Sequence, residues 1–182
     1  TPINIHLEYK DAETKTIEAK AVKENTQTTN VVSKVGVTGS KEIAGCKLEI
    51  TDATGKKIIS WTSGDKDSVK AHVTEKDGYQ NFKYSFDEKG NLLVGGLFHD
   101  KDYTLTETRP ADGYVTADAI VYQIRQKKAE DGSVSSVVSI KQEDGTYVDQ
   151  ADDKTVMVDE QTHIQLLKLD KKSGQALGGA KF

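Results

Sequence analysis

The chain has 182 residues, of which 30% are charged, 35% are hydrophobic and only two are proline, a composition typical of a folded protein rather than a disordered one. Its net charge of −4, with lysines and acidic residues interspersed, argues against nucleic-acid binding. The sequence contains no apolar run of membrane-spanning length, signal peptide, lipidation motif or sorting motif, so we expect no membrane contact by this part of the protein.

Short apolar or alternating runs, separated by glycine-containing turns, follow one another along the chain. This pattern predicts an all-β protein, because no stretch of ten residues shows a helical period with caps at both ends. Regular short strands of this kind indicate an antiparallel β-sandwich. The predicted strands cover residues 2–9, 16–23, 30–37, 46–51, 56–62, 80–86, 91–97, 102–108, 118–126, 133–141, 154–159 and 163–169.

The C-terminal residues repeat an earlier segment. Residues 167–182 restate residues 33–48 at a constant offset of 134 positions, which places Lys168 on Lys34. A tandem array of similar domains explains such a repeat.

The same offset sets the predicted domain boundaries and places Asn25 on Asp159, although this match is weaker. We expect a closing hairpin of a preceding domain, one complete domain, and the first strands of a following domain. Their boundaries are residues 1–28, 29–160 and 161–182.

Three ionisable residues, Lys34, Glu107 and Asp159, fall on apolar faces of predicted strands that lie far apart in sequence. Side chains alternate between the two faces of a strand, so each of the three can point into a core. Their apolar neighbours on the same faces are Val32, Leu105 and Met157. A buried charge without a partner is very costly, so we expect the three groups to meet.

The three residue types suggest a reaction in which the Lys34 amine attacks the Asp159 carboxyl while Glu107 handles the proton. Burial in an apolar core favours a neutral amine and a protonated carboxyl, and a second carboxyl nearby favours protonation of one of the pair. The product is a Lys–Asp isopeptide bond. From spacing alone, the alternatives are an ordinary salt-bridge cluster or three solvated charges on edge strands.

No other residues indicate a metal site or a cofactor. Cys46 is the only cysteine, which excludes an internal disulfide and a cysteine-cluster metal site, and we expect it to be a small buried core residue. The acidic cluster Asp149, Asp152 and Asp153 is typical of a solvated loop. The four histidines, which show no metal-ligand spacing, are His6, His72, His99 and His163.

Several stretches together resemble the collagen-adhesin B-type (CnaB) domains of Gram-positive surface proteins and pilins. The most specific of them is residues 103–114, which is similar to the E-box of that family. The matching stretches are residues 33–34, 40–48, 58–64, 103–114 and 156–159. Two departures stand out: Cys46 stands where the family often has alanine, and residues 72–95 are longer than the usual connection, which predicts an added hairpin around residues 87–90.

The resemblance implies a prealbumin-like (reverse Ig-like) sandwich of the CnaB type, closed by a self-made isopeptide bond. It assigns Lys34 as nucleophile, Glu107 as proton shuttle and Asp159 as acceptor. Lys168 and Asn25 are then the candidate crosslink positions of the truncated neighbouring domains.

We therefore expect a structural stalk or shaft module of an extracellular, cell-wall-anchored adhesin or pilin, whose anchor and signal peptide lie outside this fragment. We expect a monomer, not an enzyme with turnover, whose partners are neighbouring repeat domains of the same polypeptide. The alternative is a ligand-binding module that contacts a host matrix protein or glycan through the hairpin of residues 72–95 or a sheet face.

Overall fold

Nearly all regular structure in the described part of the chain is β-strand. The computed structural model describes residues 6–11, 16–20, 26–37, 39, 41–163, 166–179 and 181. The strands are β1 (His6–Asp11), β2 (Thr16–Lys20), β3 (Thr29–Gly36), β4 (Lys47–Asp52), β5 (Lys57–Thr62), β6 (Asp65–Ala71), β7 (Lys83–Phe86), β8 (Leu92–Gly95), β9 (Tyr103–Arg109), β10 (Ile120–Lys128), β11 (Val134–Lys141), β12 (Tyr147–Asp149) and β13 (Lys154–Asp159). One turn of 3-10 helix, Glu75–Asp77, lies between β6 and β7.

The strands form two sheets that enclose a common core, and a separate hairpin of β1 and β2. The larger sheet has the order β12-β11-β10-β9-β4-β5-β6, and the smaller has the order β13-β3-β8-β7. Every pairing is antiparallel except that between β3 and β13, which run parallel with Lys34 opposite Met157. The parallel pair therefore places the first and last strands of the sandwich side by side.

The core consists of the inward-facing residues of both sheets. In β3, β9 and β13 buried residues alternate with more exposed ones, as the period of two predicts. Removing such side chains from water is worth about 1.5–3 kcal/mol each. Core residues with no more than 1% exposure include Ile50, Ile58, Ile59, Leu92, Leu105, Tyr103, Tyr122, Ile124, Val138 and Met157.

The predicted all-β sandwich is confirmed, with three differences in the strands. Strand β6 was missed because its residues are mostly exposed and charged, so it shows no apolar alternation. Strand β12 was missed because it is only three residues long. The prediction of a strand over residues 163–169 is wrong for its described residues, where only Leu169 pairs, in an isolated bridge to Ala176.

The segment of residues 72–95 is part of the sandwich. Strands β7 and β8 form the predicted hairpin, and β8 also pairs with β3, so this segment supplies half of the smaller sheet. The Asp87 carboxylate accepts hydrogen bonds from the backbone N–H groups of Lys89 and Asn91, each at 2.9 Å, which closes the turn. A deletion of residues 76–92 would therefore remove part of the core sheet.

Gly96, just after β8, is a position where only glycine fits. Its φ of +78° is in the left-handed region, and an added Cβ would lie 2.1 Å from the Asn81 carbonyl oxygen. We expect Gly96→Ala to lower the free energy of unfolding by about 2–4 kcal/mol, from strain and backbone overlap together. Urea denaturation measures this.

Gly90→Ala is the matched control. Gly90 has a similar φ of +89°, but an added Cβ there would meet nothing within 4 Å. We expect a loss of only about 1–2 kcal/mol there. Equal losses in the two variants would contradict the role given to the Asn81 contact.

Candidate functional site

Three strands from different parts of the chain bring Lys34, Glu107 and Asp159 into one buried cluster. Lys34 lies on β3, Glu107 on β9 and Asp159 at the end of β13. They are 0%, 3% and 1% exposed, respectively, which places all three on the inward strand faces. Because β3 and β13 run parallel in register, the long Lys34 side chain reaches the carboxyl two positions beyond its partner Met157.

The Lys34 amine contacts both carboxyl groups. Nζ forms a buried ion pair and hydrogen bond with Oδ1 of Asp159, and it lies 3.2 Å from Oε1 of Glu107. The other Glu107 oxygen, Oε2, accepts a hydrogen bond from the Ala117 backbone N–H at 2.8 Å. Oε1 accepts no hydrogen bond of normal geometry from any described residue, so this oxygen is free for a proton.

The environment of Asp159 favours the protonated carboxyl. Burial raises the pKa of Asp159 above its usual value, the hydrogen bond from Lys34 opposes this, and the nearby Glu107 charge adds to it. A carboxyl that keeps its proton is a better electrophile than a carboxylate, because attack on an anion is repelled. The cluster thus combines an amine, an electrophilic carboxyl and a second carboxyl within contact distance.

Cys46 is a fourth member of the cluster that sequence reasoning did not place there. Its Sγ lies 3.7 Å from Oδ2 of Asp159, and its backbone N–H donates to Ser63 Oγ at 3.0 Å. Burial raises the pKa of the Cys46 thiol to about 11, so it is a neutral S–H group at physiological pH. Its position two residues before Leu48, on the same inward face, was the available signal.

The donor atoms of Cys46, Glu107 and Asp159 lie within 4.8 Å of one another, the one such group of three among the described residues. Sulfur and carboxylate ligands together suit a zinc ion in principle. Here the Lys34 amine already lies against both carboxyl groups.

A cleft of about 260 Å³ opens beside Asp159. Gly36, Tyr114 and His163 are among the residues that line it. Tyr114 also forms an isolated bridge with Gln161, and Thr162 donates its N–H to the Gly113 carbonyl at 2.9 Å. The cleft thus lies where the chain leaves β13.

The prealbumin-like fold agrees with a known family. The family described as "SpaA: prealbumin-like fold domain" matches residues 28–155. The chain belongs to this family. Among curated proteins, no sequence matches.

Solved structures similar to this SpaA-family chain include two pilins. The shaft pilin SpaA from Lactobacillus rhamnosus GG is 17% identical, with 81% of this chain and 50% of that chain covered and a TM-score of 0.44. BcpA, the major pilin subunit of Bacillus cereus, is 17% identical, with 74% and 29% covered and a TM-score of 0.37. The present chain thus spans about half the length of the shaft pilin.

Lys168, the one described position among the two predicted for crosslinks of neighbouring domains, does not lie in a site like that of Lys34. Lys168 of the SpaA-family chain is exposed, whereas its counterpart Lys34 is buried. The Lys168 carbonyl accepts a hydrogen bond from the Leu177 N–H at 2.7 Å, within a small turn. Asn25 lies outside the described residues.

The acidic cluster predicted as a solvated loop is bonded within the protein. Asp149 accepts a hydrogen bond from Ser139, and Asp153 accepts one from Thr29. Asp152 pairs with the Lys154 amine at 3.1 Å. Each carboxylate thus has its own partner.

The described histidines are dispersed. His72 contacts Ser60 Oγ at 2.9 Å, His99 contacts Asp100 at 2.8 Å, and His163 lines the cleft.

In the described segments, no helix is long and apolar enough to cross a bilayer.

Proposed function

We propose that this chain is a structural shaft or stalk module of a Gram-positive surface pilus or adhesin, closed by an isopeptide bond between Lys34 and Asp159. The main observation in support of the crosslink is that the fully buried Lys34 amine contacts the Asp159 carboxyl and lies 3.2 Å from Oε1 of Glu107. Family membership supports the setting, since the family shares its name SpaA with a shaft pilin among the similar solved structures.

In the proposed reaction, the neutral Lys34 amine attacks Cγ of Asp159. Glu107 donates a proton to the Asp159 carbonyl oxygen, takes one from the amine, passes it to the departing hydroxyl, and recovers a proton from the oxygen of the new amide. One N–C bond forms, one C–O bond breaks and one water leaves. The fold supplies much of the rate by orientation, for which effective molarities of about 10⁵ M are known.

The bond would join strands that are neighbours in space but 125 residues apart in sequence. By the loop-closure relation used for disulfides, such a crosslink stabilises a fold by about 5 kcal/mol. An amide resists reduction, unlike a disulfide. Tension that enters near residue 30 and leaves near residue 160 would then bypass most of the sandwich, which suits a stalk.

The role proposed for the protein follows from this chemistry. The chain modifies itself once and is not an enzyme with turnover. Its partners are neighbouring domains of the same polypeptide, its setting is extracellular, and the crosslink needs neither metal nor cofactor.

The intact mass of the denatured chain tests the crosslink. We expect a deficit of about 18 Da, the mass of one water, relative to the mass calculated from the sequence. The deficit should vanish in Lys34→Ala, whose side chain has no amine. The full calculated mass in the wild-type chain would leave the cluster as a buried ion pair and overturn the proposal.

A further inference from the structure

The backbone of Lys34 lies where one side of its strand loses a partner. Strand β8 pairs with β3 only as far as Val32, while β13 continues along the other side to Gly36. Beyond Val32, the backbone groups of β3 that face the β8 side need other partners, because buried N–H and C=O groups are costly when unpaired. Lys34 is the residue at which this need arises.

The loop before β4 supplies both partners. Oε2 of Glu42 accepts a hydrogen bond from the Lys34 backbone N–H at 2.8 Å, and the Ile43 N–H donates to the Lys34 carbonyl at 2.7 Å. The same Glu42 oxygen accepts from the Ser33 hydroxyl at 3.1 Å. A carboxyl oxygen therefore stands where the next carbonyl of a longer β8 would be.

We propose that Glu42 is a positioning residue for the crosslink, which fixes the Lys34 backbone so that the amine is aimed at Asp159. This inference rests on the proposed function, since it deepens the account of the same site. Glu42 touches neither reacting atom in the structure; it acts through the main chain of Lys34 and the neighbouring Ser33. A misplacement of about 1 Å at a reacting group can slow a reaction by about a hundredfold.

The positioning needs an acceptor oxygen and no fixed charge. Burial raises the pKa of Glu42 to about 7, hydrogen bonds from Lys34 and Ser33 oppose the shift, Asp87 adds to it and the Lys34 charge opposes it. Both protonation states occur near neutral pH, and both retain an oxygen that can accept the Lys34 N–H. An uncharged glutamine side chain offers the same acceptor.

The predicted repeat does not offer this contact at the matching position. The offset of 134 that places Lys168 on Lys34 places Ala176 on Glu42. Alanine has no side-chain acceptor, so the following copy lacks the group on which the positioning depends.

The rate of water loss tests the proposal directly. The full 182-residue chain is made by cell-free translation, allowed to fold at pH 7, quenched in acid at intervals and weighed intact. We expect Glu42→Ala to slow the appearance of the mass deficit by about tenfold to a hundredfold. Glu42→Gln should crosslink at a rate close to that of the wild-type chain, because glutamine keeps an acceptor oxygen. If the carboxylate charge were what matters, Glu42→Gln would be as slow as Glu42→Ala.

Glu49→Ala is the matched control, because Glu49 is also a partly buried carboxylate, on the strand β4 that follows the Glu42 loop, and it is paired with Lys57 at 2.6 Å. It should crosslink at the wild-type rate. A Glu42→Ala chain that crosslinks as fast as Glu49→Ala would overturn the proposal. So would a Glu42→Gln chain that is as slow as Glu42→Ala.

Amide hydrogen exchange at Lys34 separates this inference from the crosslink itself. In a Glu107→Gln background, where no bond is expected, adding Glu42→Ala should speed exchange of the Lys34 N–H by roughly tenfold. Adding Glu42→Gln should not, and the Val31 N–H, bonded to the Asp153 carbonyl at 2.8 Å, is the internal reference. If Glu42→Ala leaves exchange of the Lys34 N–H unchanged, the positioning role is overturned. If exchange responds to the Glu42 variants as expected but the wild-type chain has its full calculated mass, the crosslink is overturned while the contact between Glu42 and the Lys34 backbone stands.

Discussion

Glu107→Gln is expected to yield a folded chain of full calculated mass, without the deficit of one water. Glutamine keeps the shape of the side chain and an oxygen for the Ala117 N–H, but it cannot pass a proton between the amine and the departing hydroxyl. Loss of a positioned acid–base group typically slows a reaction by about 10²–10⁴-fold. Intact mass under denaturing conditions measures the product.

The same variant should lose stability because the fold is no longer closed on itself. The loop-closure estimate predicts a decrease of about 5 kcal/mol in the free energy of unfolding. This is a large share of the roughly 5–15 kcal/mol that stabilises an ordinary domain. Urea denaturation of the wild-type and variant chains, compared with Glu49→Gln, gives the difference.

A Glu107→Gln chain that still shows the mass deficit would contradict the proton-shuttle role. A variant of full mass whose unfolding midpoint equals that of the wild-type chain would contradict the stabilising effect of the bond. These two results concern different steps, so either can fail without the other.

The sequence was informative where side-chain periodicity and burial agree. The alternation in β3, β9 and β13 placed Lys34, Glu107 and Asp159 on inward faces, and the structure buries all three. The contact of Lys34 with Asp159 depends on the pairing of β3 with β13 in the smaller sheet, and Glu107 reaches them from β9 of the larger sheet. Periodicity gives the face of each strand but not its neighbour, so the expectation that the three groups meet rested on the cost of an unpaired buried charge and on the family resemblance.

The remaining site contacts depend on loops, whose course has no periodic signal. Glu42 reaches the Lys34 backbone because β8 begins only at Leu92. The hairpin predicted around residues 87–90 indicates that start, but no local pattern in the sequence indicates which loop covers the β3 backbone beyond it. Ala117 meets Glu107 from the connection between β9 and β10, which has no regular structure. The domain boundaries proposed from the repeat stay a prediction.

Lys34→Met is expected to be the most damaging single change in the cluster. It removes the nucleophile, so no bond can form, and it also removes the positive charge that lies against Glu107 and Asp159. Taking one partner from a buried charge cluster typically costs about 3–5 kcal/mol, because the remaining charges are left without compensation. At pH 7 Lys34→Met should therefore be less stable than Glu107→Gln, although neither is crosslinked.

The pH dependence of the difference in stability between Lys34→Met and Glu107→Gln identifies the cause of that difference. Burial raises the pKa of Asp159 even in the presence of Lys34, and without the ammonium the opposing effect is lost. Some carboxyl groups have a higher pKa in the folded state than in the unfolded state. Such a group contributes its full stabilisation below the unfolded-state pKa, and this stabilisation is lost as the pH rises through the folded-state pKa. The difference in urea midpoint between Lys34→Met and Glu107→Gln should therefore be smaller at pH 5 than at pH 7.

The triple variant Lys34→Met, Glu107→Gln, Asp159→Asn provides the control for folding. It has the same cavity-filling methionine but no buried charge, and replacing a buried ionic cluster by neutral groups is often neutral or stabilising. We expect its unfolding midpoint at pH 7 to return close to that of Glu107→Gln, and the difference between these two variants to change less with pH than the difference between Lys34→Met and Glu107→Gln. If Lys34→Met were already as stable as Glu107→Gln at pH 7, the two carboxyl groups would not need the lysine charge, and the cluster would be held by packing alone.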